Sequence, residues 1–246
     1  MKPSTHILGV PIHNLSTEKL VDLLQNFLLS TESRHIVTPN PEFCVEASQD
    51  EEFLNILRSA ELSLPDGFGL QLIGRLRGER LNRITGVDMV STLAEVAARE
   101  GSRVQLLGGR DGVAYAAAVR LKRDFPELRI VGAENERTPS GRYRSERELV
   151  EHIARRRPDI LLVAFGAPKQ EKWIARNLPS MPSVKVAAGI GGAFDYISGR
   201  TKRAPNLMRQ GGLEWLYRLG REPRRLKRIL NATVIFTYKA LTEKKS

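Results

Sequence analysis

Two stretches constrain this chain more than any others: DILLVAFG at Asp159–Gly166 and VKVAAGIGG at Val184–Gly192. Each is a continuous apolar run without the alternation of a half-exposed strand, and each ends in glycine. Strands read this way when helices cover both of their faces, as in a parallel sheet. Shorter apolar runs precede them at His6–Val10, His35–Thr38, Leu62–Leu64, Val104–Leu107 and Arg129–Val131. Between these lie stretches with apolar residues at helical spacing, among them Thr17–Leu29, Val87–Arg99 and Val113–Phe125. Strands alternating with helices predict an α/β fold with a mostly parallel sheet and crossover helices.

In such a sheet, ligands bind outside the carboxyl ends of the strands. The stretches that follow the predicted strands are TPNPE (Thr38–Glu42), PDGFG (Pro65–Gly69), GGRDG (Gly108–Gly112), GAPKQEKW (Gly166–Trp173) and GIGGAFD (Gly189–Asp195). Gathered on one rim, they would offer Asn40, Asp66, Lys169, Gln170 and Asp195 beside glycine turns that let a ligand approach the backbone. Each stretch also has a purely local reading. Pro65-Asp66-Gly67 is common turn chemistry, and Asn40 ahead of Pro41 suits a helix cap. Gly108 and Gly109 open a loop whose N–H groups could hold a phosphate, or they simply make a tight strand-to-helix turn. GGRDG is not the GxGxxG fingerprint, and Glu134 and Glu136 lie farther on than a ribose-binding acid would, so no dinucleotide cofactor is expected. Gln170 would point into the crevice from the first turn of a helix begun at Pro168, or else sit on a solvated helix start. Arg83, just ahead of Gly86 and a helix, is either a surface residue or a bidentate anion clamp.

Charge divides the chain. Residues 200–246 hold 13 Lys/Arg against 3 Asp/Glu, a net of +10, while residues 1–199 hold 26 against 25, a net of +1. The expected organisation is therefore a catalytic or binding body over 1–199 and a basic helical appendage over 200–246. In the appendage Arg218, Arg225 and Arg228 fall roughly on one helical face, with Trp215, Leu216 and Leu219 nearby and Pro223 as a break. A basic amphipathic helix of this kind reads as binding an anionic membrane surface. The alternatives are a terminal helix packed on the core and a nucleic-acid binder. The last is disfavoured by the neutral body and by the lack of any recognised nucleic-acid module.

Other chemistries find no foothold. Cys44 is the only cysteine, which excludes an internal disulfide and suits a reducing compartment. His6, His13, His35 and His152 lack ligand spacing, and no Asp-x-Asp pair, P-loop or GxSxG occurs, so no metal site is expected. No window reaches the roughly 18 apolar residues of a membrane span, and the N-terminus lacks the apolar centre of a signal peptide.

Taken together, TPNPE, the LPDG loop, R-x-x-G-x-D (Arg83–Asp88), GAPKQE-x-W, G-x-G-G-x-F-D-x-x-x-G (Gly189–Gly199) and LEWLYRL…EPRRLKR resemble the WecG/TagA/CpsF glycosyltransferase family over nearly the whole chain. The resemblance implies a Rossmann-like fold, no cofactor, and transfer of a hexose from a UDP-sugar to a polyprenyl-diphosphate-linked sugar acceptor. It implies peripheral attachment to the cytoplasmic face of a bacterial membrane, in teichoic acid, common antigen or capsule and exopolysaccharide synthesis. N-acetylmannosamine is the expected hexose on the teichoic-acid branch. Asp66 would be the catalytic base, with Thr38 and Asn40 beside it. Gln170 and Arg83 would line the acceptor or diphosphate region, Asp195 would contact the nucleoside, and Arg218, Arg225 and Arg228 would close over the site. Aspartate ordinarily titrates near pH 4 and is ionised at neutrality, as a base for an inverting transfer must be. Arginines can stabilise a leaving diphosphate without a metal. Homo-oligomerisation stays open, since apolar surface on the appendage could serve a subunit interface instead of lipid.

Overall fold

The computed structural model describes residues 5–110, 112–135, 145–205, 208, 216–217, 220 and 234–243. The first apolar run is not one strand. Strands β1 (Thr5–Ile7) and β2 (Val10–Ile12) form an antiparallel hairpin, because the backbone turns at Leu8 and Gly9, with φ of 52° and 74°. Leucine is an unusual residue for that left-handed region, which explains why the turn escaped the pattern.

The main sheet contains β3 (Arg34–Val37), β4 (Leu62–Ser63), β5 (Arg103–Gly108), β6 (Arg129–Glu134), β7 (Ile160–Ala164) and β8 (Val186–Gly189). These six strands lie in the order β4-β3-β8-β7-β5-β6, and every neighbouring pair is parallel. The expected α/β architecture is therefore present, with the two continuous apolar runs at its centre as β7 and β8. Strand alternation divides the core into layers. Ile36, Leu106, Leu162 and Ala188 pack with α1 (Thr17–Leu29), α5 (Gly86–Glu100), α6 (Val113–Asp124) and α9 (Ala193–Ile197). On the opposite face Leu107, Leu161, Val163 and Ala187 pack with α7 (Glu146–Arg155) and α8 (Lys169–Asn177).

A further cluster joins the hairpin to α2 (Pro41–Ala47), α3 (Glu51–Ser59), α4 (Phe68–Leu76) and α10 (Phe236–Thr242). Helix α10 lies within the stretch expected to be a separate appendage, yet Phe236 is 0% exposed and Ala240 is buried beside it. Burying a phenylalanine side chain stabilises a fold by about 1.5–3 kcal/mol, so this end of the chain is part of the body's core. Glu243 completes the attachment. Its carboxylate accepts from the Leu8 and Gly9 N–H groups at 3.1 and 3.2 Å and pairs with Arg77 at 2.7 Å. Residues 236–243 thus pack on the body that precedes them. Pro223, and the helix break expected there, lie outside the described residues.

Candidate active site

Strand order decides which loops meet. The ends of β4, β3, β8, β7 and β5 are consecutive neighbours, so the five stretches singled out in the sequence follow one another along one edge.

At the outer part of that edge, the chain is fixed by its own backbone. Leu64 N–H donates to Val37 O at 2.9 Å, Asp66 N–H to Pro39 O at 2.8 Å, and Ile84 N–H to Pro65 O at 3.0 Å. The loops after β3 and β4 are thus tied to each other and to the segment carrying Arg83. Asn40 caps α2, its Oδ1 accepting from Phe43 N–H at 3.1 Å with Pro41 at the first helical position. Gly67 has φ of 93°, and a Cβ there would stand 3.4 Å from Pro41 Cδ. The Pro-Asp-Gly turn is real, and it leaves Asp66 half-buried at the head of α4, with Thr38 buried and Asn40 half-buried on the neighbouring loop. Turn and functional readings are compatible here. The strand edge beyond is closed by His13, whose Nδ1 accepts from Ser63 N–H at 3.0 Å, which assigns the neutral ring's proton to Nε2.

The Arg83–Asp88 motif is in part a helix start. Thr85 and Asp88 form a reciprocal capping box on α5, with Thr85 Oγ1 donating to Asp88 Oδ2 at 2.6 Å. Arg203 reaches the same pair, to Asp88 Oδ1 at 3.3 Å and Thr85 Oγ1 at 3.2 Å. Burial opposes ionisation of Asp88, but the contacts with Thr85 and Arg203 outweigh it and hold the carboxyl below its usual range.

At the centre of the edge, Gln170 departs from expectation. It is 1% exposed, and its Oε1 accepts from Gly166 N–H and Gly191 N–H, each at 3.0 Å. Its Nε2 donates to Glu171 Oε1 at 2.7 Å. Rather than opening onto the crevice, the amide binds the loop after β7 to the loop after β8. Glu171, which sequence reasoning did not single out, is 0% exposed, and its Oε2 has no hydrogen-bond partner among the described residues. Burial pushes its carboxyl up to about 7, only partly countered by the Gln170 amide. The clue lay in the facing strand: a Cβ at Gly189 would sit 2.3 Å from Glu171 Oε1 and 2.7 Å from Gln170 Nε2. Lys169 stands at the first position of α8, its Nζ 5.3 Å from the Phe165 ring centre.

The glycines after β5 answer largely to packing. Gly108, at φ of 101°, would put a Cβ 2.8 Å from Ala164 O and from Phe165 Cδ1. Gly109 N–H donates to Ala164 O at 2.9 Å, so that donor is turned toward β7 and away from an anion. Asp195 is half-buried in the single turn of α9, and its carbonyl accepts from Thr201 N–H at 2.9 Å. Arg218, Arg225 and Arg228 lie outside the described residues. Among the described residues, no group of three or more His, Cys, Asp or Glu side chains could hold a metal ion, and no helix is long and apolar enough to cross a membrane.

Known proteins resemble this one over the same span. Residues 5–246 match the model of a family described as the glycosyl transferase WecG/TagA/CpsF family. A protein of Bacillus spizizenii named N-acetylglucosaminyldiphosphoundecaprenol N-acetyl-beta-D-mannosaminyltransferase is 37% identical over 206 residues, covering 83% of this chain and 78% of that one. Proteins with the same name are 35% identical in Bacillus subtilis, over 92% of this chain and 86% of the relative, and 31% identical in Staphylococcus aureus, over 97% and 92%.

Proposed function

This chain belongs to the WecG/TagA/CpsF glycosyltransferase family, and from that premise we propose that it moves N-acetylmannosamine from a UDP-linked donor to the GlcNAc of an undecaprenyl-diphosphate acceptor, with inversion and without a metal. The acceptor and sugar follow the names of its relatives. Those names specify a β linkage, and an α-linked nucleotide sugar gives a β product only by attack from the face opposite the leaving UDP. In this step the acceptor hydroxyl oxygen bonds to the anomeric carbon, the bond to the β-phosphate oxygen breaks, and UDP leaves with that electron pair. The hydroxyl proton passes to Asp66.

The observation that carries the reading is the placement of Asp66. Its carboxylate stands at a strand's carboxyl end, half-buried, on a loop held by the Asp66 N–H to Pro39 O bond and the Ile84 N–H to Pro65 O bond. A base so fixed typically contributes roughly 10²–10⁴-fold to a rate. Thr38 and Asn40 would orient the acceptor beside it, and Lys169 and Arg83 would line the diphosphate region. Asp195 would contact the nucleoside, with Gly108 and Gly109 forming the floor beneath it. Arg218, Arg225 and Arg228, from the segment of net +10, would neutralise the leaving diphosphate, and the same segment would hold the enzyme on the inner face of the membrane.

The test is a transfer assay with a short-chain GlcNAc-diphosphate-lipid acceptor, a panel of UDP-sugars and EDTA, comparing wild type with Asp66→Asn. Transfer from UDP-N-acetylmannosamine by wild type is expected, with a fall of about 10²–10⁴-fold in the variant. Absence of transfer from any UDP-sugar would sink the reading. Equal rates would reduce the LPDG loop to a turn.

A further inference from the structure

The transfer reading assigns no work to Glu171, although it is the most completely buried carboxylate beside the site. We propose that Glu171 is a positioning residue for glycosyl transfer: by accepting from Gln170 Nε2 it anchors the Gln170 amide, which in turn locks the loops after β7 and β8 together at the middle of the rim.

The two ends of a glutamine amide have nearly the same shape and opposite hydrogen-bonding sense. At Gln170 the oxygen end must face two donors, Gly166 N–H and Gly191 N–H. Turned over, the amide would set its own N–H groups against both of them. Those two donors select the oxygen end, and the partner at the other end, Glu171 Oε1 at 2.7 Å, holds the nitrogen end in the same sense. A carboxyl oxygen without a proton cannot donate, so it accepts only the nitrogen end. The arrangement has been given room, because Gly189 carries no side chain where Glu171 Oε1 and Gln170 Nε2 lie.

The local surroundings keep Glu171 from any competing partner. Strands β7 and β8 present only Ile, Leu, Val, Ala and Gly to α8. On α8 itself, Lys172 is held by Asp50 and Glu52 at the start of α3, and Arg176 by Glu146. His35 of β3, the other strand packed on α8, is driven toward its neutral form by burial, down to about 4. No described cation pairs with Glu171. Burial therefore favours its protonated form near neutrality, with the proton on Oε2 and Oε1 left to accept from Gln170.

The consequence for catalysis comes from strand order. The ends of β8 and β7 lie between the ends of β4 and β3, which bear Asp66, Thr38 and Asn40, and the end of β5, which bears Gly108 and Gly109. Two substrates aligned across that span depend on the separation of its halves, and a misplacement of about 1 Å can cost roughly 10²-fold in rate.

The experiment compares wild type, Glu171→Leu and Glu171→Gln for kcat, for KM of donor and acceptor, and for hydrogen exchange of the Gly166 and Gly191 amides. The inference rests on the transfer reading above, but amide exchange needs no substrate, so the two can fail separately. Glu171→Leu should lose at least tenfold in kcat with smaller changes in KM, and faster exchange should be confined to the two glycines. Glu171→Gln keeps an oxygen for Gln170 and should restore both. If the leucine variant does not fold, Gly189→Ala reaches the same contacts from the strand side and should show the same pair of effects. Wild-type kcat and wild-type exchange in Glu171→Leu would overturn the proposal, as would a Glu171→Gln variant as impaired as Glu171→Leu.

Discussion

The outer and central parts of the rim are held by different means. At the ends of β3 and β4, the loops are tied by main-chain bonds, from Asp66 N–H to Pro39 O and from Ile84 N–H to Pro65 O, and by the Asn40 cap. At the ends of β7 and β8, one main-chain bond, from Ile190 N–H to Val163 O at 2.9 Å, is joined by a side chain, Gln170, which ties the loops beyond it and is backed by Glu171. A loop fixed by its backbone can change a side chain without changing shape. A loop fixed by a buried amide loses its shape with that amide. Single substitutions should thus separate chemistry from geometry on the outer side and couple them at the centre.

The largest effect on stability that would test this contrast is at Phe236. The ring lies under the outer rim, 3.4 Å from where a Cβ on Gly69 would stand. Phe236→Ala should destabilise by about 3–5 kcal/mol, measured by urea unfolding. If the outer loops are held by their own main-chain bonds, the folded fraction should keep its kcat. A fall in kcat per folded molecule would mean that α10 shapes the site as well as covering the core.

An intermediate effect is expected from pH. Glu171 titrates near 4.5 when unfolded and at about 7 when folded, so its contribution is fully present below 4.5 and is lost as pH rises through 7. His35 behaves in the opposite sense. Lowered by burial from 6.5 to about 4, it contributes fully above 6.5 and loses that contribution as pH falls through 4. Urea midpoints of Glu171→Gln should therefore decline less than wild type between pH 5 and pH 8. An unchanged decline would place the alkaline sensitivity elsewhere and weaken the case for a buried, protonated centre.

The smallest effect distinguishes the two roles of Asn40. Asn40→Ala removes the cap on α2 and should cost about 1 kcal/mol, whereas Asn40→Asp keeps an equivalent capping oxygen and should leave stability unchanged. If Asn40→Asp is as stable as wild type but transfers more slowly, the amide nitrogen serves the substrate. If it transfers normally, the cap is the whole of its function.

The same contrast explains what could be read from the sequence. Features fixed by local rules were legible: DILLVAFG and VKVAAGIGG as strands covered on both faces, Asn40-Pro41 as a cap, and Pro65-Asp66-Gly67 as a turn at a strand end. Features fixed by a distant partner were not. Gln170 near a helix start could face anywhere until β8 brings Gly191 N–H within 3.0 Å of it. The hairpin was hidden by Leu8, a poor signal for a turn, whose N–H is bound by Glu243 from the far end of the chain. The charge of the tail was plain, but nothing in its periodicity marks Phe236 as a core residue.

The place of β8 has a further consequence, for how the protein is made. The last strand of the sheet to be synthesised lies at its middle, between β3 and β7. Until Val186–Gly189 emerges, β4 and β3 on one side and β7, β5 and β6 on the other have no strand to join them, and any pairing within each group leaves an open edge where β8 will bind. Synthesis from β3 to β8 takes about 8–30 seconds at roughly 5–20 residues per second, and over that time the β3 edge lacks its native partner, joined near the end by the β7 edge. A nascent chain stalled before β8 would expose apolar strands that the native sheet buries, and would be a natural client for chaperones. The keystone strand is laid last, and the crevice comes into being only when it is.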